Sequence, residues 1–152
     1  MNRSRGFTLI ELLVVMLVLG ILASIALLKY ADLRNNAIAT QVVLELRAVQ
    51  VAAFNYYAQT ETWPPESGAG AVPTGLGPLL PGQLATSFDR GDYMLDYENF
   101  GAGATDVVIG VAVTTSNAKL FAKLAANLGG GAPYFVAGNR ITYLIAGPGG
   151  AF

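Results

Sequence analysis

The chain has 152 residues and neither histidine nor cysteine. Chemistry is therefore left to ten carboxylates, nine lysines and arginines, and the hydroxyl and aromatic side chains. Without imidazole, the commonest general base and metal ligand is missing. Without thiols, disulfides and thiolate metal sites are excluded. One carboxylate stands apart. Glu11 sits inside the apolar run FTLIELLVVMLVLGILASIALL, from Phe7 to Leu28. A carboxylate in lipid costs about 2.5–3.5 kcal/mol on insertion scales. It needs either a cation to face or a headgroup to reach.

The other candidates are weaker. Asp89, Asp92, Asp96 and Glu98 fall within ten residues, and oxygen clusters bind calcium. Their spacing is not that of an EF-hand and Arg90 lies among them, so a solvated acidic loop is the simpler reading. Ser116, Lys119 and Lys123 suggest a Ser/Lys site, but lysines four apart on an amphipathic helix read as its wet face. The glycines at 75–78 and 101–103 open no phosphate-binding fingerprint. Phe54, Tyr56, Tyr57 and Trp63 are expected to pack under a C-terminal sheet. Net charge is −1 and the isoelectric point is near 5.2. That balance gives no support for nucleic-acid binding.

Composition shows which elements must position these residues. Residues 1–63 contain no proline and two of the 18 glycines, whereas residues 64–152 hold all seven prolines and the other glycines. Proline and glycine break helices, so one long N-terminal helix precedes a loop-rich domain. Apolar residues make up 53% of the chain, against 12% charged. Disorder is excluded and an ordinary cytosolic enzyme is disfavoured.

The helix has two unlike halves. Its 22 residues from Phe7 to Leu28 reach roughly 33 Å, enough to cross the hydrocarbon core of a bilayer. Beyond Lys29 the pattern is one-sided, with Ile38, Val42, Leu46, Val49, Ala53 and Tyr56 on one stripe. Asp32, Arg34, Asn36, Gln41, Glu45, Arg47 and Gln50 mostly take other faces. Trp63-Pro64-Pro65 is expected to end the helix. Residues 66–91 read as a loop with a turn of helix near Leu79–Leu80. Strands are expected at Tyr93–Tyr97 and Asp106–Thr114. A helix capped by Ser116 covers Asn117–Leu128. A hairpin then joins Tyr134–Val136 to Arg140–Ile145 through Gly138-Asn139.

Arg3 and Arg5 precede the apolar run, which favours a cytoplasmic N-terminus. A secretory signal peptide would gain nothing from Glu11. The stretch Gly6-Phe7-Thr8-Leu9-Ile10-Glu11 resembles the class III signal of type IV pilins and of the pseudopilins of type II secretion systems. The resemblance runs from about Arg5 to Tyr30. It departs from the family where Leu28 replaces a helix-kinking proline, which suggests a straighter helix.

The resemblance implies cleavage between Gly6 and Phe7 by a prepilin peptidase, with methylation of the new Phe7 amine. It implies that Glu11 pairs with that amine on a neighbouring subunit and sets the axial register. Gly20 would serve helix packing, or be a weak point where the helix unwinds. The fold it implies is α+β: a long helix, with transmembrane and amphipathic halves, packed on a small antiparallel sheet as a pilin-like lollipop. Its parts would be a leader at 1–6, an assembly helix at 7–28 and a head at 29–152. The function would be structural and non-enzymatic, in a type IV pilus or a secretion pseudopilus. Partners would be further copies, other pilin-like subunits, the peptidase, an inner-membrane platform protein and an assembly ATPase. The chain would wait in the inner membrane and then join an extracellular or periplasmic filament. It needs no cofactor, calcium at the four carboxylates excepted. The alternative is a single-pass envelope protein whose head binds a partner without polymerising.

Overall fold

The computed structural model describes residues 7–101 and 107–147. Arg3, Arg5, Gly6, Ala102, Gly103 and Asp106 lie outside the described residues. The chain forms two compact units, Met1–Asn35 and Asn36–Phe152. The architecture is α+β, with a long N-terminal helix and a four-stranded antiparallel sheet.

Helix α1, Leu9–Thr60, is 52 residues long and passes Leu28 without interruption. No proline interrupts its hydrogen-bond ladder. It stops earlier than the prolines require. Glu61 adopts a left-handed φ of 56° and its N–H donates to Tyr57 O at 2.8 Å. The Thr60 hydroxyl turns back to Tyr56 O at 2.8 Å. A left-handed residue just past the last turn ends the helix, three residues ahead of Trp63.

In the second unit, α1 buries the expected stripe. Ala39, Val42, Leu46, Val49, Ala52 and Ala53 are covered, with Ile38 and Tyr56 half-buried. Gly75 packs against Tyr56. A Cβ there would lie 2.6 Å from the ring, and its φ of 85° suits glycine. Two short 3-10 turns, Gly77–Leu79 and Gly82–Ala85, lie in the loop that follows. Around them Leu76, Leu80, Leu84 and Phe88 join the core.

The strands are β1, Met94–Asn99, β2, Ile109–Thr114, β3, Tyr134–Ala137, and β4, Arg140–Ala146. Their order is β1-β2-β4-β3, antiparallel throughout. Side chains alternate between faces. Leu95, Val113, Ile141 and Val136 stand in one row, and Tyr97, Val111, Tyr143 and Tyr134 in the next. Most of these belong to or pack against the core shared with α1, though Val136, on the edge strand β3, is exposed. β1 starts one residue later than expected and β2 starts at Ile109. β3 and β4 turn through Gly138-Asn139, where Gly138 has a φ of 63°. That value at the first central position fits a type II′ hairpin turn.

Between β2 and β3 runs α2, Ala118–Leu128, burying Leu120, Leu124 and Leu128. Its cap is not Ser116. Asn117 Oδ1 accepts from the N–H groups of Lys119 and Leu120, both at 3.1 Å. Ser116 is exposed, and the carboxamide one residue on is the side chain that reaches the open amides.

The aromatic cluster also differs from expectation. Tyr57 stacks on Trp63 at 4.7 Å between ring centroids, and Phe54 meets the same indole edge-on at 5.4 Å. Phe54 and Tyr57 are exposed rather than packed under the sheet, while Tyr56 and Trp63 are half-buried and pack against the core. Phe54 and Tyr57 lie three apart, a spacing that puts both beside Trp63.

Candidate functional site

Two places concentrate the residues singled out by sequence. The first is the start of α1. The Thr8 N–H donates to a Glu11 oxygen at 2.9 Å, and the Thr8 hydroxyl donates to the same oxygen at 2.7 Å. In return the Glu11 N–H donates to the Thr8 hydroxyl at 3.3 Å. This is a reciprocal capping box. The T-x-x-E spacing, Thr8 to Glu11, carries that signal in the sequence. Within a single chain, then, Glu11 satisfies the open amide at its own helix start. Phe7 precedes the helix and is 82% exposed. The Gly6–Phe7 bond falls outside the described residues.

Every residue from Phe7 to Arg34 is exposed in the isolated chain. An 18-residue window there has a mean hydropathy of 2.8, and none of it is buried. By length and composition this stretch can cross a membrane. So much bare aliphatic surface needs lipid or protein to cover it. At Gly20 a Cβ would meet nothing within 4 Å, and the helix is regular through it. Any notch it makes is open to a neighbour.

The second place lies around Glu45. The sequence pattern places this residue among the polar faces, but Glu45 is buried. Arg90 grips it with two prongs, Nη2 to Oε1 at 2.6 Å and Nε to Oε2 at 3.3 Å. The Tyr93 hydroxyl donates to Oε2 at 2.7 Å and Gln41 Nε2 donates to Oε1 at 3.0 Å. Burial pushes the carboxyl up, but donation from Arg90, Gln41 and Tyr93 outweighs it and holds Glu45 below its ordinary value. Burial, with the Glu45 carboxylate, pushes the Tyr93 phenol up. The available signal was position. Glu45 is three residues after Val42 and four before Val49, at the edge of the apolar stripe.

The acidic cluster at 89–98 separates. Asp89 Oδ1 accepts from Gly91 N–H at 2.9 Å, closing a tight turn in which Gly91 has a φ of 77°. Asp96 and Glu98 project from the sheet face opposite the core and share Arg140 of β4. On that face β2 presents only Gly110, Ala112 and Thr114, small residues over which a long side chain can pass. Arg140 draws the Asp96 carboxyl down, but burial dominates and holds it up. Its Oδ1 has no hydrogen-bond partner among the described residues. Among the described residues no three carboxylates converge as metal ligands would. Lys119 and Lys123 are on the exposed side of α2, as expected.

Residues 1–27 match the family model described as the prokaryotic N-terminal methylation motif. Similarity to individual proteins points the same way. The chain is 38% identical over 68 residues to a type IV major pilin protein of Neisseria gonorrhoeae, covering 45% of this chain and 32% of that one. It is 50% identical over 52 residues to fimbrial protein Q of Moraxella bovis, covering 34% and 33%. It is 43% identical over 53 residues to a fimbrial protein of Pseudomonas aeruginosa, covering 35% and 34%. The matched stretch spans about a third of the length of these relatives. Their names are those of a pilin and of fimbrial proteins. No solved structure matches the chain.

Proposed function

We propose that this chain is a structural subunit of a type IV pilus or a related pseudopilus. The observation that carries the reading is an apolar helix bare from Phe7 onward, with a single carboxylate at its start, beneath a methylation motif. Prepilin peptidase would cut after Gly6 on the cytoplasmic side, where a glycine leaves the scissile carbonyl unshielded. Loss of Arg3 and Arg5 leaves seven basic against ten acidic side chains. The new Phe7 amine, methylated, then meets Glu11 of an adjacent subunit. In the apolar centre of a fibre that pair sets register rather than adding much stability. For Glu11 to pair in this way, its bonds to Thr8 must be shared or exchanged on assembly.

Before assembly the chain is held as a single-pass protein in the inner membrane. It leaves through a platform protein driven by a cytoplasmic ATPase, and the 29–152 region forms the fibre surface. The test is mass spectrometry and electron microscopy of material sheared from cells. The expected result is a polypeptide beginning at Phe7, methylated, in high-mass filaments. A chain beginning at Met1 and confined to the membrane fraction would instead support the anchored, non-polymerising envelope protein.

A further inference from the structure

Beyond assembly, we propose that the C-terminal end of α1 carries a binding site for an organic cation, a quaternary ammonium or a guanidinium. Tyr57, Glu61, Thr62, Trp63, Pro65 and Asn99 line an open hollow of about 440 Å³. Three observations give it its chemistry. The first is the helix end itself. The last carbonyls of α1 make a negative pole, and its last turn has no basic residue.

The second is Glu61. It holds a left-handed φ of 56° where glycine is the usual occupant, so a carboxylate is kept there against a backbone preference. Among the described residues nothing pairs with that carboxylate, and no lysine or arginine lines the hollow. Two other polar side chains of the wall are engaged. Asn99 donates to Pro64 O and accepts from Gly101 N–H, and the Thr62 hydroxyl bonds Thr60. That leaves the Tyr57 hydroxyl and the Trp63 indole N–H to a neutral ligand, whereas a cation finds a free carboxylate.

The third is the aromatic wall. Trp63 and Tyr57 are stacked, and Tyr57 remains 42% exposed. An indole or phenol face beside a carboxylate attracts soft cations through the ring quadrupole as well as the charge. None of this depends on whether the chain polymerises.

Trp63 is the only tryptophan, so its emission reports this hollow alone. The full chain is titrated in a polyoxyethylene detergent, whose headgroup has neither charge nor sugar. The probes are choline, arginine amide, the neutral choline isostere 3,3-dimethylbutan-1-ol, methyl glucoside and potassium chloride. Saturable emission changes are expected with choline or arginine amide and not with the other three. Stronger binding of choline assigns a free quaternary ammonium; stronger binding of arginine amide assigns a side chain presented by a peptide. E61Q keeps the helix end but removes the charge, and should weaken binding at least tenfold. Y57A should weaken it as well, with calorimetry as a readout independent of emission. The proposal is overturned if the isostere or the glucoside matches the cations, if only a linear salt response appears, or if E61Q binds as the parent does.

Discussion

Glu45 of α1 and Arg90 of the loop before β1 meet in a two-pronged ion pair, 45 residues apart in sequence. With the Tyr93 hydroxyl on the same carboxylate, the pair ties the turn at Asp89–Tyr93 to the helix. Removing one partner leaves the other buried and uncompensated. Arg90→Ala should destabilise the second unit by about 3 kcal/mol, read by urea unfolding of the full chain in detergent. Arg90→Lys should recover only part of this, because an ammonium cannot reproduce the fork.

The same pair predicts acid sensitivity. Glu45 is held below its ordinary value of 4.5, so the folded chain binds this proton less readily than the unfolded chain. Its contribution is fully present above pH 4.5 and is lost as the pH falls through the lower, folded value. Asp96, raised above 3.8 by burial, works in the opposite sense and offsets part of the slope. Melting temperature measured from pH 6 to 3 should fall less steeply in Glu45→Gln than in the parent. Parallel curves would mean the pair does not control the acid limb.

At the start of α1, capping and assembly can be separated. Thr8→Val removes the hydroxyl but keeps the Glu11 carboxylate. It should lower helix-start stability by about 1 kcal/mol while leaving filaments on the cell surface. Glu11→Ala should leave the protein in the membrane fraction and abolish sheared filaments. Normal filament yield from Glu11→Ala would remove the register role.

The left-handed residue at Glu61 gives a prediction of the other sign. Glu61→Gly should stabilise by about 0.5–1 kcal/mol, since glycine accepts that φ but loses more freedom on folding. Thermal unfolding of the two proteins side by side measures it.

The caps of α2 provide a direct comparison. Asn117→Ala should cost about 1 kcal/mol, and Ser116→Ala close to nothing. An equal loss at both positions would show that the serine also contributes.

The long helix, its apolar first half, the core stripe from Val42 to Tyr56 and the hairpin at Gly138-Asn139 were all legible in the sequence. Each rests on short-range physics: side-chain periodicity, the absence of proline, or a glycine where a turn needs positive φ. The methylation motif was legible for the same reason, being contiguous. Tertiary structure alone decided the fate of the charges. Glu45 looks like a solvent-facing helix residue until Arg90 and Tyr93 close over it. Asp96 and Glu98 read as part of a solvated acidic loop until β1 carries them into the sheet and β4, beside β2, brings Arg140 within reach. Phe54 and Tyr57 read as core residues, but both stay exposed and meet Trp63 ring to ring. Partners 44 or 45 residues apart leave no local pattern, because what selects them is the packing of the helix and strands that carry them.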